Sequence, residues 1–353
     1  MPNASVAWWF RRTGLLRALE SARRQPRLLV LNYHRIGEIA GNQLDDATFS
    51  ATAERFREQV RYLKRWFAVP APDEVLDSLE RGSFSHPTVL ITFDDGYRDN
   101  YELAFPILRE LGVPACFFVV TGLLDAPTLP WWDRVAYSIK MMKGIRLELG
   151  YPERLTIDLR KVSRARATWR VLRACKEARS FDEPRFSDEL AMRTGVSVDT
   201  RTLARRLFMS WDSLREMARA GMTIGSHTVT HSVLASLSEP AQRRELQESR
   251  RRIADAAGTL PEMLAYPVGG PRSFTGVTRQ LAREAGYRAA FTYGGATTGS
   301  CPVDPFSVPR TAVEYSDTRA QFRLRSTLAT IKAPPLFHQA AARLQSRNAS
   351  AIA

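Results

Sequence analysis

The run Thr88-Val89-Leu90-Ile91-Thr92-Phe93 is apolar or β-branched at every position, and it stops abruptly at Asp94-Asp95-Gly96. It lacks the polar face of a half-exposed strand, so it suits a strand covered on both sides, as parallel strands are. A helix is predicted next, over 100–111, with Gly112 as its C-cap. Pro114 then opens a second apolar run to residue 121. This is one βαβ unit with two carboxylates at the C-terminal end of its strand, where α/β barrels keep their chemistry.

The alternation recurs along the chain. Residues 28–31 form a short apolar strand that delivers Asn32-Tyr33-His34-Arg35. Phe56, Val60, Leu63 and Phe67 repeat at helical spacing, and a second short helix is predicted over 74–79. Further on, a helix over 211–220 with Ser210 as N-cap precedes a strand over 222–225 that runs into Ser226-His227. A helix over 239–257, a strand over 263–266, a helix over 277–285, a strand over 288–292 and a last strand over 306–313 follow. Between residues 124 and 210 the pattern loosens, and this part is predicted as a mostly helical insertion. The expected organisation is an N-terminal segment 1–26, barrel residues 27–123, the insertion 124–210, barrel residues 211–315 and a tail 316–353. The βα alternation predicts an α/β fold, a parallel barrel.

Composition narrows the function classes. The three cysteines, Cys116, Cys175 and Cys301, are far apart, which excludes a Cys-x-x-Cys metal or redox centre. No run approaches the ~20 apolar residues of a spanning helix. At the N-terminus Trp8, Trp9 and Phe10 precede Arg11 and Arg12, the reverse of a secretory signal, so a cytoplasmic chain is expected. That segment is either a basic amphipathic helix on an anionic membrane surface or a helix docked on the domain. With 51 Lys and Arg against 37 Asp and Glu, the net charge of +14 favours anionic partners. The basic stretches at 161–173 and 201–206 lack interleaved aromatics, and no nucleic-acid motif is present, so nucleic acid is not the expected partner.

Three features carry chemistry. Asp94 and Asp95 pack two carboxylates behind an apolar strand, which costs free energy unless a cation compensates them, although Asp-Asp-Gly is also a common turn sequence. His227 and His231 are two of only five histidines. On a helical turn their spacing would stack both imidazoles on one face, suited to one metal ion. With one Asp they supply three ligands and leave a position open for water or substrate. Tyr266-Pro267-Val268-Gly269-Gly270 ends another strand, where Pro267 and Gly269 let backbone approach a ligand and a loop N–H could face an oxyanion.

Taken together, Thr92-Phe93-Asp94-Asp95-Gly96, the 225–231 segment Gly-Ser-His-Thr-Val-Thr-His and the Tyr266-Pro267 loop resemble the first three motifs of the polysaccharide deacetylase family, carbohydrate esterase family 4 with its NodB-like members. The resemblance covers about 28–123 and 211–315. It implies a distorted (β/α) barrel of about seven strands and a divalent ion, zinc foremost, with cobalt or another divalent ion as alternatives. It further implies Asp94 as general base, Asp95, His227 and His231 as metal ligands, and the Tyr266 N–H as an oxyanion donor. The substrate expected is an N-acetylhexosamine unit of a polysaccharide or glycolipid. An O-acetyl esterase of xylan type and a non-catalytic glycan-binding member are the alternatives.

Two departures matter. Many members carry an arginine just before the proline of the third motif, where this chain has Leu264-Ala265-Tyr266-Pro267; Arg310, in Val308-Pro309-Arg310, is the candidate replacement. Many also carry a Leu-x-His motif near the C-terminus, but here His338 falls in the tail. Leu31-Asn32-Tyr33-His34-Arg35 instead resembles circularly permuted members whose last strand has moved to the front, which makes His34 the expected general acid, a structural histidine being the other reading. His86 is expected at the surface. Trp131 and Trp132 are expected either to shape a sugar cleft or to form the insertion's own core.

Overall fold

The computed structural model describes residues 15–21, 25–178, 181–294 and 304–331. Among these residues the strands are β1 Leu28–Tyr33, β2 Arg35–Ile36, β3 Phe49–Ala51, β4 Thr88–Phe93, β5 Cys116–Val119, β6 Arg146–Leu149, β7 Leu155–Asp158, β8 Thr223–Ser226, β9 Met263–Ala265, β10 Ala289–Phe291 and β11 Thr311–Ala312. Seven of them build one curled sheet in the order β10-β9-β8-β5-β4-β1-β11, parallel throughout. The segment from Val308 to Ala312 reaches both edges: Val308 bridges Phe291 of β10, and Thr311 and Ala312 pair with Leu31 and Asn32 of β1. The result is the distorted (β/α) barrel expected from the alternation.

Period-2 side-chain alternation explains why the strands are apolar on both faces. Leu28 and Val30 of β1 point inward, into a cluster with Leu90, Cys116, Phe118, Met263 and Phe291. Leu29, Leu31 and Tyr33 point outward, onto Phe56, Val60 and Leu63 of the helix Ala53–Trp66. Every C-terminal strand end therefore opens on the same side, and the polar residues that follow the strands meet there.

Some expected elements differ in detail. The helix at 100–111 begins as a π-helical turn, Asn100–Ala104, before the α-helix Phe105–Leu111; Pro106 has no N–H to donate, so the usual ladder cannot run through this point. The last strand shrinks to the pair Thr311–Ala312, preceded by the 3-10 turn Pro305–Ser307. The tail contributes structure: helix Arg319–Leu328 packs Leu324 and Leu328 on Leu16 of helix Leu15–Ser21, and Arg323 pairs with Glu20 at 2.5 Å. The first of these helices is docked on the domain, while the Trp8–Trp9 and Arg11–Arg12 residues, His338 and Cys301 lie outside the described residues. Among the described residues no helix is long and apolar enough to cross a membrane.

Between 124 and 210 helices predominate, as Trp131–Met141, Arg164–Glu177, Glu183–Thr194 and Thr200–Ala204, with an unexpected antiparallel β6–β7 hairpin. Trp132, Val135, Leu147, Val171 and Phe186 form a hydrophobic cluster of this segment's own. The chain leaving it is tied to the C-terminal end of β4, because Met209 N–H donates to the Gly96 carbonyl at 3.0 Å.

Gly225 shows how tightly the ring interior is filled. A Cβ there would lie 2.4 Å from Phe118 Cδ1 and 3.1 Å from Cys116 Sγ. Gly225→Ala is expected to lower stability by roughly 1–3 kcal/mol, the usual cost of overpacking. Urea unfolding measures this; an unchanged midpoint would show that Phe118 gives way freely.

Candidate active site

Asp94 and Asp95 follow β4 directly, and the turn that separates their directions is left-handed, with φ 73° at Asp95 and 79° at Gly96. Both carboxylates are buried, at 2% and 3% exposure. Burial alone would keep Asp94 protonated, but the Arg310 guanidinium overrides it and holds the carboxyl well below the usual carboxylate range. Arg310 grips both oxygens, at 2.6 Å from NH1 to Oδ1 and 2.8 Å from NH2 to Oδ2. Its Nε donates to the Thr292 carbonyl at 2.9 Å, so the fork is fixed before substrate arrives. Arg310, the candidate raised by the sequence, thus stands against Asp94.

Asp95 lacks such a partner. Burial and the neighbouring Asp94 charge push its pKa well above the carboxylate range, and its Oδ1 has no hydrogen bond. His227 Nε2 and His231 Nε2 both lie 3.5 Å from that oxygen. The ligand atoms of the three residues all fall within 4.8 Å of one another. His227 Nδ1 is 2.7 Å from the Ala265 carbonyl, which fixes the tautomer and leaves Nε2 free as a donor atom. Burial depresses the pKa of both histidines, keeping them in the neutral, ligating form. An orphaned carboxylate oxygen facing two neutral imidazoles fits a divalent cation.

The two histidines converge by a different route from the expected helical turn. Residues 227–231 are non-helical, and both Thr228 and His231 have positive φ, 68° and 59°. The Glu245 carboxylate holds this loop by accepting from the N–H groups of Val229 and Thr230, at 2.8 and 3.0 Å, and from the Thr230 hydroxyl at 2.8 Å. The ring centroids end up 4.8 Å apart. A loop bent by two left-handed residues achieves what the spacing was expected to achieve through helix periodicity.

The oxyanion assignment also changes. The Tyr266 N–H donates to the Phe291 carbonyl at 3.0 Å and is consumed by the sheet ladder. Gly269 approaches Tyr293 backbone instead of a ligand: a Cβ on it would lie 2.5 Å from Tyr293 N, and its own N–H donates to the Pro267 carbonyl at 2.7 Å. Pro267 and Gly269 therefore shape the loop. Val268 between them lines the cavity at φ 63°, a strained setting for a β-branched residue, and its N–H makes no hydrogen bond among the described residues. The sequence signal for it was the Pro-x-Gly frame alone.

His34 lines the same cavity of about 220 Å³, as do Trp131, Trp132, Tyr293 and Arg310. Burial lowers the His34 pKa to about 4, with Asp94 pulling the other way. Trp132, expected either to shape a cleft or to pack the insertion, does both: its ring lies 4.6 Å from that of His231, and its Nε1 donates to the Tyr97 hydroxyl at 2.9 Å. The next residue, Asp133, accepts the Asp45 N–H at 2.9 Å, and burial raises its pKa to about 7. The tryptophans thus serve both the cavity wall and the packing of residues 131–194, and nothing in sequence spacing marks that double use.

Known proteins resemble this chain. A family profile described as polysaccharide deacetylase matches residues 81–290. YxkH of Bacillus subtilis, whose name also reads polysaccharide deacetylase, is 22% identical over 208 residues, covering 59% of this chain and 45% of that protein. The poly-β-1,6-N-acetyl-D-glucosamine N-deacetylase of Staphylococcus epidermidis is 30% identical over 104 residues, 27% of this chain and 36% of that protein. The chain thus spans less than half the length of these relatives. The structure of Streptococcus pyogenes deacetylase PplD in complex with acetate superposes with a TM-score of 0.55 at 18% identity, covering 85% of this chain and 98% of that one, which places both in one fold. Since the matched profile takes in more than half of the residues, the chain belongs to the polysaccharide deacetylase family.

Proposed function

We propose that this chain hydrolyses N-acetyl groups from N-acetylhexosamine units of a polysaccharide or glycolipid, using a divalent ion, zinc foremost, held by Asp95, His227 and His231. The observation that carries the reading is the pairing of that triad with an ionised Asp94 in one buried cavity. A bound ion there supplies Lewis acidity toward the acetyl oxygen and lowers the pKa of coordinated water. The name of the staphylococcal relative supports an N-acetyl substrate. The absent third-motif arginine was the ground for a non-catalytic reading, and Arg310 on Asp94 takes that ground away.

The chain's own residues then divide the work. Asp94, kept ionised by Arg310, accepts a proton from the attacking water at a carboxylate oxygen. A base this acidic is weak, so its contribution rests on position and permanent charge more than on proton affinity. The Val268 N–H, unbonded among the described residues and in the cavity wall, takes the oxyanion-donor role in place of that of Tyr266. His34 is neutral at rest; negative charge building beside the ring raises its proton affinity, so it takes over the proton that Asp94 accepted from the water and passes it to the leaving nitrogen. Trp131 and Trp132 wall the cavity and exclude water.

Metal-stripped protein is expected to lose acetate release from N-acetylglucosamine oligomers and to regain it with zinc or cobalt, while Asp95→Asn binds metal more weakly. Metal content and an acetate assay, with acetylated xylan in the same panel, check this; release from xylan alone would convert the reading to an O-acetyl esterase. Asp94→Asn should retain metal yet lose about 10²–10⁴-fold in rate, the range of general-base catalysis. Full activity in that variant would remove Asp94 from the chemistry. His34→Ala is expected to depress kcat for N-acetyl substrates more than for acetyl esters, whose alkoxide leaving group is less basic than an amide nitrogen anion. Equal loss on both would reduce His34 to a structural residue.

A further inference from the structure

The catalytic cavity, at about 220 Å³, falls short of the roughly 300–1,000 Å³ of ordinary small-molecule sites. A second cavity of about 650 Å³ lies against it, between the helix Arg164–Glu177 and the barrel loops at 268–273 and 315–316. Asp45, Ala47, Trp169, Lys176, Val268 and Tyr293 line both, so the two spaces adjoin. A substrate reaching Asp94 extends into the second space, and residues of that helix meet its next unit.

The charges around this second space cancel, with one exception. Lys140 pairs with Asp46 at 2.9 Å and donates to the carbonyls of Asn42 and Leu44. Arg173 pairs with Glu177 at 3.0 Å and lies 5.5 Å over the Trp169 ring; Arg272 stands 3.9 Å from the same Glu177. The Asp45 carboxylate accepts the Ala47 N–H. Lys176, exposed at the junction of the two spaces, makes no hydrogen bond or ion pair among the described residues; its charge acts on the Asp45 and Asp95 carboxylates without touching either. An ammonium there offers a point charge to an oxyanion, and a neutral sugar chain gives it nothing to pair with. The chain's net charge of +14 draws substrates of the same sign preference.

We propose that the acceptor is an anionic glycan, in which the unit beside the reacting N-acetylhexosamine carries a phosphate or carboxylate group that Lys176 binds while Trp169 packs against the sugar. The proposal rests on the deacetylase reading for what happens in the first cavity, and adds the specificity of the second. It departs from the uncharged polymer named for the staphylococcal relative.

Calorimetric titration of the zinc-loaded full chain at low salt, with parallel acetate assays, separates the possibilities. The probes are a neutral N-acetylglucosamine tetramer, N-acetylglucosamine 1-phosphate and a tetrasaccharide alternating N-acetylglucosamine with glucuronate. One anionic probe is expected to bind at least about ten-fold more tightly than the neutral one, as a charge-assisted hydrogen bond provides. Whichever probe gains identifies phosphate or carboxylate. In Lys176→Gln the ratio of anionic to neutral affinity should fall about ten-fold, and Lys176→Arg should retain most of it. Equal binding of all probes by the unaltered protein, or an unchanged ratio in Lys176→Gln, would overturn the proposal. A charge preference that vanishes in Lys176→Gln without acetate release from any probe would support the anion site and sink the hydrolase reading instead.

Discussion

The Arg310–Asp94 pair is the interaction on which the rest of the site depends. Two neighbouring carboxylates sit at 2% and 3% exposure, and an uncompensated charge at that depth costs several kcal/mol. Arg310, itself 1% exposed, neutralises one of them with both arms of its fork. A buried pair of this kind need not add net stability, yet removing one partner typically costs about 3–5 kcal/mol. Arg310 also stands one residue before β11, in the segment that reaches from β10 to β1. Barrel closure and the ionisation state of Asp94 are therefore set by the same few residues.

Compensating Asp94 through the protein leaves Asp95 to be compensated by something else. Its Oδ1 has no hydrogen bond, and the nearest side-chain nitrogens are the Nε2 atoms of two imidazoles kept neutral by burial. Two adjacent residues of one sequence motif thus receive opposite electrostatic treatment: one is locked as an anion by a fixed cation, and the other has no cation of the protein beside it. The left-handed backbone at Asp95 and Gly96 separates them, turning consecutive side chains toward Arg310 and toward the histidines. Asp tolerates that conformation because its short polar side chain adds little steric penalty.

How much of this was legible in the sequence follows from the range of each interaction. Strands covered on both faces declare themselves through continuous apolar runs, so β4, β5 and the helix Glu239–Ala257 lie where the pattern puts them. Residue chemistry is local too, and Asp94, Asp95, His227 and His231 could be singled out one by one. Geometry is not local. The helical turn invoked for the histidine pair is a bent loop held by Glu245, from a helix that starts eight residues later. The Tyr266 N–H was expected to be free, but whether a loop donor is free depends on the strand beside it, here Phe291. Trp132 was legible as a cleft or core residue, but its contacts with His231 and Tyr97 were not, because those partners come from two other segments.

The barrel and the 124–210 segment contribute different properties to one cavity. Residues that touch the reacting group come from strand ends, whose positions the parallel ladder fixes, and strand-end placement suits chemistry that tolerates little displacement. The wall facing them comes from the helices Trp131–Met141 and Arg164–Glu177, which pack on a cluster of their own. Such a wall can change in shape and charge without disturbing the ladder, so the shape of the cavity is free to vary while Asp94 and the histidines stay in place. The two parts are not independent, however: Trp132 lies against His231, and Met209 is bonded to Gly96. A shift of the wall reaches the 227–231 loop through the Trp132–His231 ring contact, which makes the first turn of the helix Trp131–Met141 the point where wall and site geometry are coupled.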